Sequence, residues 1–348
     1  MNETKTTSNV SKPERITPAV TIKKNVTIYA ATKWFTQDIT KAGFMEQCSE
    51  EVRKWCKLST DPADLPTADA VLFHNTDFNQ SMFPKNRNLS QFYVMLTAES
   101  PMNQEINFEP HQINWTMNYR RDADVFHPFS IWKKRDQPQK VDYEALWKAK
   151  NESVTVSWMV ANCHSQNKRW EIVQKAKQQG LQIDTYGGCG QAIPNCDRYI
   201  DNRYDCAAEI LKKYKFYIAF ENSICPDYVT EKIYNAHTLY DSIPIVLTRK
   251  IYENRGIPGN SFIALDDFVS VESMVAFLNK LKDNKGEYLK YFKWRVPTYA
   301  TREDDSIRFC GLCNKLQAGN NPTKSYADLK KWYSRDTCNN GDVFKYVE

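Results

Sequence analysis

No apolar run in this chain is long enough to span a bilayer. The 47 Lys and Arg nearly balance the 42 Asp and Glu, for a net charge of only +5. That balance does not point to nucleic acid, and it suits an anionic small ligand. No internal repeat is apparent. Glycine forms neither a P-loop (no Gly-Lys-Ser/Thr follows the Gly187-Gly188-Cys189-Gly190 turn) nor a dinucleotide fingerprint. The first residues, MNETKTTSNVSKPERITP, are polar and have none of the organisation of a signal peptide. They read as a disordered stem over 1–20.

What the chain does have is ten cysteines, at 48, 56, 163, 189, 196, 206, 225, 310, 313 and 338. Glycosylation sequons begin at Asn2, Asn9, Asn25, Asn79, Asn88, Asn114 and Asn151. Together they point to an oxidising, glycosylating compartment. A chain of 348 residues with 41% apolar and 26% charged residues is expected to form two domains with substantial cores. The cluster of Cys189, Cys196, Cys206 and Cys225 lacks paired CxxC spacing, so disulfides fit it better than zinc. The lone Cys310-Gly311-Leu312-Cys313 is read the same way.

The most informative stretch is 215–247. Residues 215–220 read as a buried strand, 221–227 as a polar loop, and Val229, Ile233, Ala236 and Tyr240 share one helical face. Asp227 or Thr230 is a candidate cap. A second buried strand follows at 243–247, completing a unit of a parallel α/β sheet. Lys232 in the first helical turn is poorly placed for the helix dipole. A diphosphate bound there would account for it; so would a surface charge pair with Glu231. Arg169 likewise opens an amphipathic helix after a strand at 154–160, and two cations at two helix starts make a diphosphate clamp. An exposed helical Arg is the simpler alternative.

Other strands are expected at 25–30, 68–73, 92–97, 181–186 and 262–265, and helical spacing runs from 42 to 56. Glu99-Ser100-Pro101 ends the strand at 92–97, where an acid is well placed for a cleft. Residues 131–150 read as an interdomain linker and a short helix. Asp122-Ala123-Asp124 has the spacing of a metal-holding pair, but it follows Arg120 and Arg121, and a structural ion network is the favoured reading for those charges.

Phe220-Glu221-Asn222-Ser223, Asp227-Tyr228-Val229-Thr230-Glu231-Lys232 and Tyr234-Asn235 closely resemble the signature of the α1,3-fucosyltransferases, glycosyltransferase family 10. Asn114–Asp124 also resembles a stretch of that family, with Ala123 in place of the usual Ser. The cysteine pattern resembles core-type members from plants and invertebrates.

The resemblance implies a GT-B fold, with two Rossmann-like domains facing across a cleft. We expect a stem at 1–20, an acceptor domain at 21–150, a GDP-fucose domain at 151–300 and a tail at 301–348. In the family the CxxC pair bonds back to two cysteines near the N-terminus, here Cys48 and Cys56.

The expected activity is inverting transfer of fucose from GDP-β-L-fucose to the 3-hydroxyl of a GlcNAc, in the N-glycan core or in a lactosamine antenna. A non-catalytic glycan-binding protein is a reading of another class. Glu99 is the expected base, Lys232 and Arg169 the expected partners of the departing GDP, and Glu231 either faces the sugar cation or holds the nucleotide ribose. Tyr186, Gly187, Glu221, Asn222, Tyr228 and Asn235 complete the expected donor pocket. No metal site and no cofactor are expected, with Mn²⁺ at most stimulating. The expected location is the Golgi lumen, with a type II membrane anchor preceding residue 1.

Overall fold

A computed structural model describes residues 25–150, 153, 155–193, 196, 203–319, 321 and 324–347. The stem at 1–20 and the sequons at Asn2, Asn9 and Asn151 lie outside these residues.

The first sheet has six parallel strands: β1 (Val26–Ala30), β2 (Cys56–Ser59), β3 (Ala70–His74), β4 (Phe92–Leu96), β5 (Trp115–Asn118) and β6 (Val125–Phe126), ordered β2-β1-β3-β4-β5-β6. β7 (Ile131–Lys134) leaves this layer. The second sheet is also parallel, with β8 (Val156–Met159), β9 (Ile183–Tyr186), β10 (Phe216–Ile218), β11 (Ile243–Val246) and β12 (Ile263–Ala264), ordered β12-β11-β10-β8-β9. β13 (Thr298–Thr301) returns to pair antiparallel with β7, Thr301 opposite Ile131. Each parallel sheet reverses its strand order once, between β1 and β3 and between β8 and β10. Ligands bind outside the carboxyl ends of strands at such points.

Strand alternation builds the cores. In the second sheet Val156, Trp158, Phe216, Ile218, Ile243 and Ile245 face one layer. There they meet α3 (Arg169–Gln178) and α7 (Val271–Leu281), while α2 (Tyr143–Lys148) and α8 (Lys285–Lys290) lie beside them. Tyr217, Ala219 and Val246 face the other layer, against α4 (Arg203–Leu211), α5 (Glu231–Thr238) and α6 (Arg249–Asn254).

In the first sheet Ile28, Leu72, Val94 and Met117 pack on α1 (Glu50–Trp55) and α9 (Arg308–Gln317). Its other face, with Val71, Phe73, Tyr93 and Met95, buries Cys225 and Tyr228 of the second sheet's loop and Leu329 and Tyr333 around α10 (Leu329–Trp332). That shared core joins the two halves.

All ten cysteines are paired. Cys48–Cys310 and Cys56–Cys313 tie the tail to the first sheet, and Cys163–Cys189, Cys196–Cys206 and Cys225–Cys338 complete the set. The segment after α9 also reaches the second core, where Val343 and Tyr346 are buried.

Several expectations are corrected. The helical spacing at 42–56 becomes a short 3-10 turn and the six-residue α1, because Gly43 turns the chain at φ +70° and Ser49 caps a new start by accepting from Val52 N. Cys56 then begins β2. The linker at 131–150 opens with a strand, since β13 completes it. Asn25, Asn79 and Asn88 are exposed, and the side-chain oxygens of Asn79 and Asn88 accept from Ser81 and Ser90 N–H. Asn114, by contrast, is closed off from solvent in the folded chain. It is 5% exposed, its amide nitrogen donates to Lys324 O, and its oxygen accepts from Tyr93 N at 2.8 Å.

Candidate active site

The loop that leaves β10 carries Glu221 into the interior, where it is 3% exposed. Its carboxylate accepts from Thr230 N at 2.8 Å, from the Thr230 hydroxyl and from Lys232 Nζ at 2.9 Å. Lys232 Nζ also donates to Thr230 Oγ1 at 2.8 Å and lies 3.5 Å from Glu231 Oε1. A buried protein carboxylate thus pairs with the cation in this helical turn. Burial raises the Glu221 carboxyl above its ordinary range, and Lys232 and Thr230 only partly offset it. Burial also opposes the Lys232 ammonium, but Glu221 and Glu231 outweigh it and hold the ammonium above the ordinary lysine range.

Neither expected residue caps α5. Thr230 sits at the N-cap, yet its hydroxyl is turned to Glu221. Asp227, at φ +62°, accepts from Arg121 N instead. With no side-chain cap, the first-turn amides of α5 point toward the carboxyl edge of the sheet. α3 also starts without a side-chain cap, after Lys168 at φ +54°.

Arg169, 3% exposed, spans the strand-order reversal of this sheet. Its Nη1 donates to Phe220 O at 2.7 Å, beyond β10, and its Nη2 to Asn162 O at 3.0 Å, beyond β8. Burial lowers its pKa, with Glu221 opposing. Arg169 also acts electrostatically against Lys232, so the two cations share one neighbourhood.

The first sheet supplies Glu99. Its Oε1 accepts from Tyr228 OH at 2.7 Å, Asn222 Nδ2 at 3.3 Å and Ser100 N at 2.9 Å. Ser100 and Ser223 hydroxyls meet at 2.8 Å, and Asn103 Nδ2 donates to both at 3.1 Å. Burial, then Glu99, pushes the Tyr228 phenol well above its usual range, so it remains a donor. Glu99, Asn222, Tyr228, Glu221, Glu231, Lys232 and Arg169 are thus brought together from two sheets.

Three other candidate residues lie differently. Tyr186 is buried with its hydroxyl on Tyr214 OH at 2.7 Å. Gly187, at φ +89°, lies where a Cβ would come within 2.8 Å of Val160 O. Asn235 is buried and accepts from Arg302 Nη2 at 3.2 Å.

Sequence reasoning did not assign Ser223, Asn103, Asn167 or Tyr333. Asn167 Nδ2 holds Glu221 O at 2.9 Å. Tyr333 OH bonds the Glu99 carbonyl and lies 3.3 Å from Tyr119 OH, whose ring is 4.9 Å from that of Tyr228. Ser223 stood inside the quoted motif; nothing local singles out the others.

Asp122 is held by Arg120 at 2.6–2.8 Å, whereas Asp124 takes Tyr326 OH and Lys324. The two carboxylates belong to separate structural networks, in line with the ion-network reading. Among the described residues no group of three or more His, Cys, Asp or Glu is arranged to hold a metal ion.

Residues 147–332 match the C-terminal domain of glycosyltransferase family 10 (fucosyltransferase), and residues 23–130 match the fucosyltransferase N-terminal domain. The chain is 38% identical over 333 residues to the Caenorhabditis elegans α-(1,3)-fucosyltransferase fut-6, covering 93% of this chain and 84% of that protein. It is 33% identical to the human 4-galactosyl-N-acetylglucosaminide 3-α-L-fucosyltransferase FUT5, over 78% of this chain and 72% of that one. Its fold is similar to a crystal structure of an α1,3-fucosyltransferase with GDP-fucose, at a TM-score of 0.55 and 15% identity, covering 91% of this chain and 96% of that one.

Proposed function

The chain belongs to glycosyltransferase family 10 and is an α-(1,3)-fucosyltransferase with a GT-B-like fold, and from that premise we propose its donor, GDP-fucose, its acceptor and its residue roles. The acceptor is a GlcNAc of the N-glycan core. The observation that carries the assignment of roles is the contact of Glu99 with Tyr228 and Asn222, because it sets a carboxylate of one sheet against the donor loop of the other.

Glu99 takes the proton of the acceptor 3-hydroxyl as that oxygen attacks the anomeric carbon. With Oε1 committed to three donors, Oε2 receives the proton. The bond from the anomeric carbon to the diphosphate breaks, and its electron pair leaves with GDP. Lys232, Arg169 and the uncapped amides of α3 and α5 stabilise that charge. An ammonium has three donors. Lys232 gives short bonds to Glu221 and Thr230, and its third and longest contact, 3.5 Å to Glu231 Oε1, is the one a phosphate oxygen displaces. Glu231 faces the developing sugar cation, and Asn222 and Tyr228 line the donor pocket. The scheme assigns no step to a metal, and Mn²⁺ is a stimulant at most.

Support for the core acceptor is the set of bridges Cys163–Cys189, Cys196–Cys206 and Cys225–Cys338, which take in Cys189, Cys196, Cys206 and Cys225, the cysteines whose pattern resembles core-type members. The second reading, lactosamine antennae, is favoured by the likeness to the human protein, whose name specifies a 4-galactosyl-N-acetylglucosaminide. Five disulfides and exposed sequons suit a Golgi lumen location; no helix among the described residues is long and apolar enough to cross a membrane.

Incubation with GDP-fucose and both glycans, followed by linkage analysis, tests the reading. Fucose on O3 of a core GlcNAc is expected. Fucose only on lactosamine moves the assignment to the second reading, and no transfer to either glycan overturns both.

A further inference from the structure

The turn that follows β1 is made of residues that oppose its shape. Trp34 and Gln37 exchange backbone hydrogen bonds of 2.9 and 3.0 Å, closing a two-residue turn over Phe35 and Thr36. Their φ angles are +46° and +71°. Two left-handed central positions suit Asn-Gly, whereas a bulky Phe and a β-branched Thr are strained there.

The surroundings hold the strain in place. The Asp77 carboxylate accepts from Phe35 N at 2.8 Å and Thr36 N at 3.2 Å, and pairs with His74 Nδ1 at 2.6 Å. The Trp34 ring lies 4.2 Å from His74, 5.1 Å from Phe44 and edge-on to Phe35 at 4.9 Å. Phe35 itself stays 47% exposed. The fold thus spends backbone strain to fix an aromatic ring in water, a combination that marks functional positions.

The position is the carboxyl edge of the first sheet, at its strand-order reversal. β1 and β4 flank β3, so the strands that lead into this turn and into the loop of Glu99 run about 10 Å apart, two strand spacings. Hydrogen bonds link the two. Asp77 and Thr76 share one 3-10 turn, Gln104 bonds both the Thr76 and Thr97 hydroxyls, and Thr97 Oγ1 accepts from Glu99 N at 3.3 Å. Phe35 and Glu99 are two points on one rim.

We propose that Phe35, backed by Trp34, is a stacking platform for a pyranose ring of the acceptor glycan. It takes the sugar next to the GlcNAc that faces Glu99. The proposal rests on the reading of the chain as a fucosyltransferase of glycan GlcNAc. The apolar face of the sugar covers the exposed ring, and its hydroxyls stay toward Thr36 and Gln37, which are exposed beside it. Because the turn is already pinned, little freedom is lost on binding.

The test replaces Phe35 and Thr36 with the residues the turn prefers, Phe35→Asn with Thr36→Gly, beside Phe35→Trp. Acceptors are an N-glycan core pentasaccharide and N-acetyllactosamine. In the Asn-Gly variant the midpoint of thermal unfolding holds or rises. Its KM for the acceptor rises about tenfold, or 1.4 kcal/mol, and its KM for GDP-fucose stays within twofold. Phe35→Trp keeps the wild-type acceptor KM. An unchanged acceptor KM in the Asn-Gly variant overturns the proposal, as does a rise accompanied by an equal donor effect or a lower midpoint.

Titration of both glycans into GDP-saturated protein reads the platform without turnover. Where the wild type binds a glycan but transfers nothing to it, the reading of the function fails, while tenfold weaker binding by the variant still supports the platform. Equal binding by wild type and variant, or no binding to either protein, overturns the platform.

Discussion

Replacing Lys232 alone would leave Glu221 buried with only Thr230 for company, and an unpaired interior carboxylate costs several kcal/mol of stability. Lys232→Ala therefore mixes folding with binding. The clean comparison is Lys232→Ala with Glu221→Gln, which we expect to fold and to bind GDP about 100-fold more weakly by titration, the scale of one preorganised donor. Unchanged affinity would remove Lys232 from the phosphate site. Glu99→Gln keeps the Tyr228 contact but cannot take a proton. Turnover is expected to fall 10²–10⁴-fold with GDP affinity retained, and full turnover would exclude Glu99 as base.

A residue far from this chemistry sets a pH limit. His237 is 3% exposed, its Nε2 donates to Ser261 O at 3.0 Å, and burial lowers its pKa to about 3. An unfolded histidine titrates near 6.5. Between those values the unfolded chain holds a proton that the folded chain excludes, so stability rises with pH across that window and is lost as pH falls. His237 alone accounts for about 2–3 kcal/mol between pH 6.5 and 4.5. Denaturant titrations at both pH values check it: His237→Gln should shrink the difference, and an equal difference would assign the acid sensitivity elsewhere.

At the scale of elements, the site depends on a segment that brings no reactive group. α10 delivers Tyr333 to the Glu99 carbonyl, and Cys225–Cys338 ties the donor loop to the chain just beyond it. Ile224 N accordingly donates to Asn340 Oδ1 at 2.7 Å. Tyr333 positions the base through its main chain. Tyr333→Phe removes the hydrogen bond to the Glu99 carbonyl, roughly 1 kcal/mol, along with the longer one to Tyr119, so kcat is expected to drop about fivefold with both KM values near wild type. A KM change with kcat intact would mean that the tyrosine shapes a pocket and does not place Glu99.

The elements that were readable beforehand are those whose pattern is local. β1, β3, β4, β8, β10 and β11 are short runs of Val, Ile, Leu and aromatics, and all but β1, whose Thr27 and Tyr29 are half-buried, are buried on both faces. β2 was masked because its first residue, Cys56, ends a helical spacing that Gly43 and Ser49 interrupt. β5 was hidden inside a motif read for its charges. β7 looked like linker because its first two residues are only half-buried, its last two are exposed, and its pairing with β13 spans more than 160 residues of chain.

For the whole molecule, the tail bridges act as one constraint. Cys48–Cys310 and Cys56–Cys313 close loops of 262 and 257 residues. Either bridge alone confines the unfolded chain almost as well as both, so their roughly 5 kcal/mol each by the entropy model does not add. Cys56→Ser with Cys313→Ser should lower the thermal midpoint little. Adding Cys48→Ser and Cys310→Ser should lower it by on the order of 10 °C. Equal steps for the two bridges would show that they stabilise through local packing.

By itself the sequence determined the alternation of buried strands and amphipathic helices, the placement of Arg169 and Lys232 at helix starts, and the motif that resembles family 10. All of these are encoded within a few residues, where backbone geometry links spacing directly to position. Only the tertiary structure decided that Lys232 shares Glu221 with Thr230, that Glu99 meets Tyr228 and Asn222 across 123 to 129 residues of chain, that Asn114 is buried, and which of the remaining six cysteines pair. Those contacts depend on how two sheets and a tail come to rest against one another. That arrangement follows from the shape of the shared core at Tyr228, Tyr119 and Tyr333, which no local window of sequence contains.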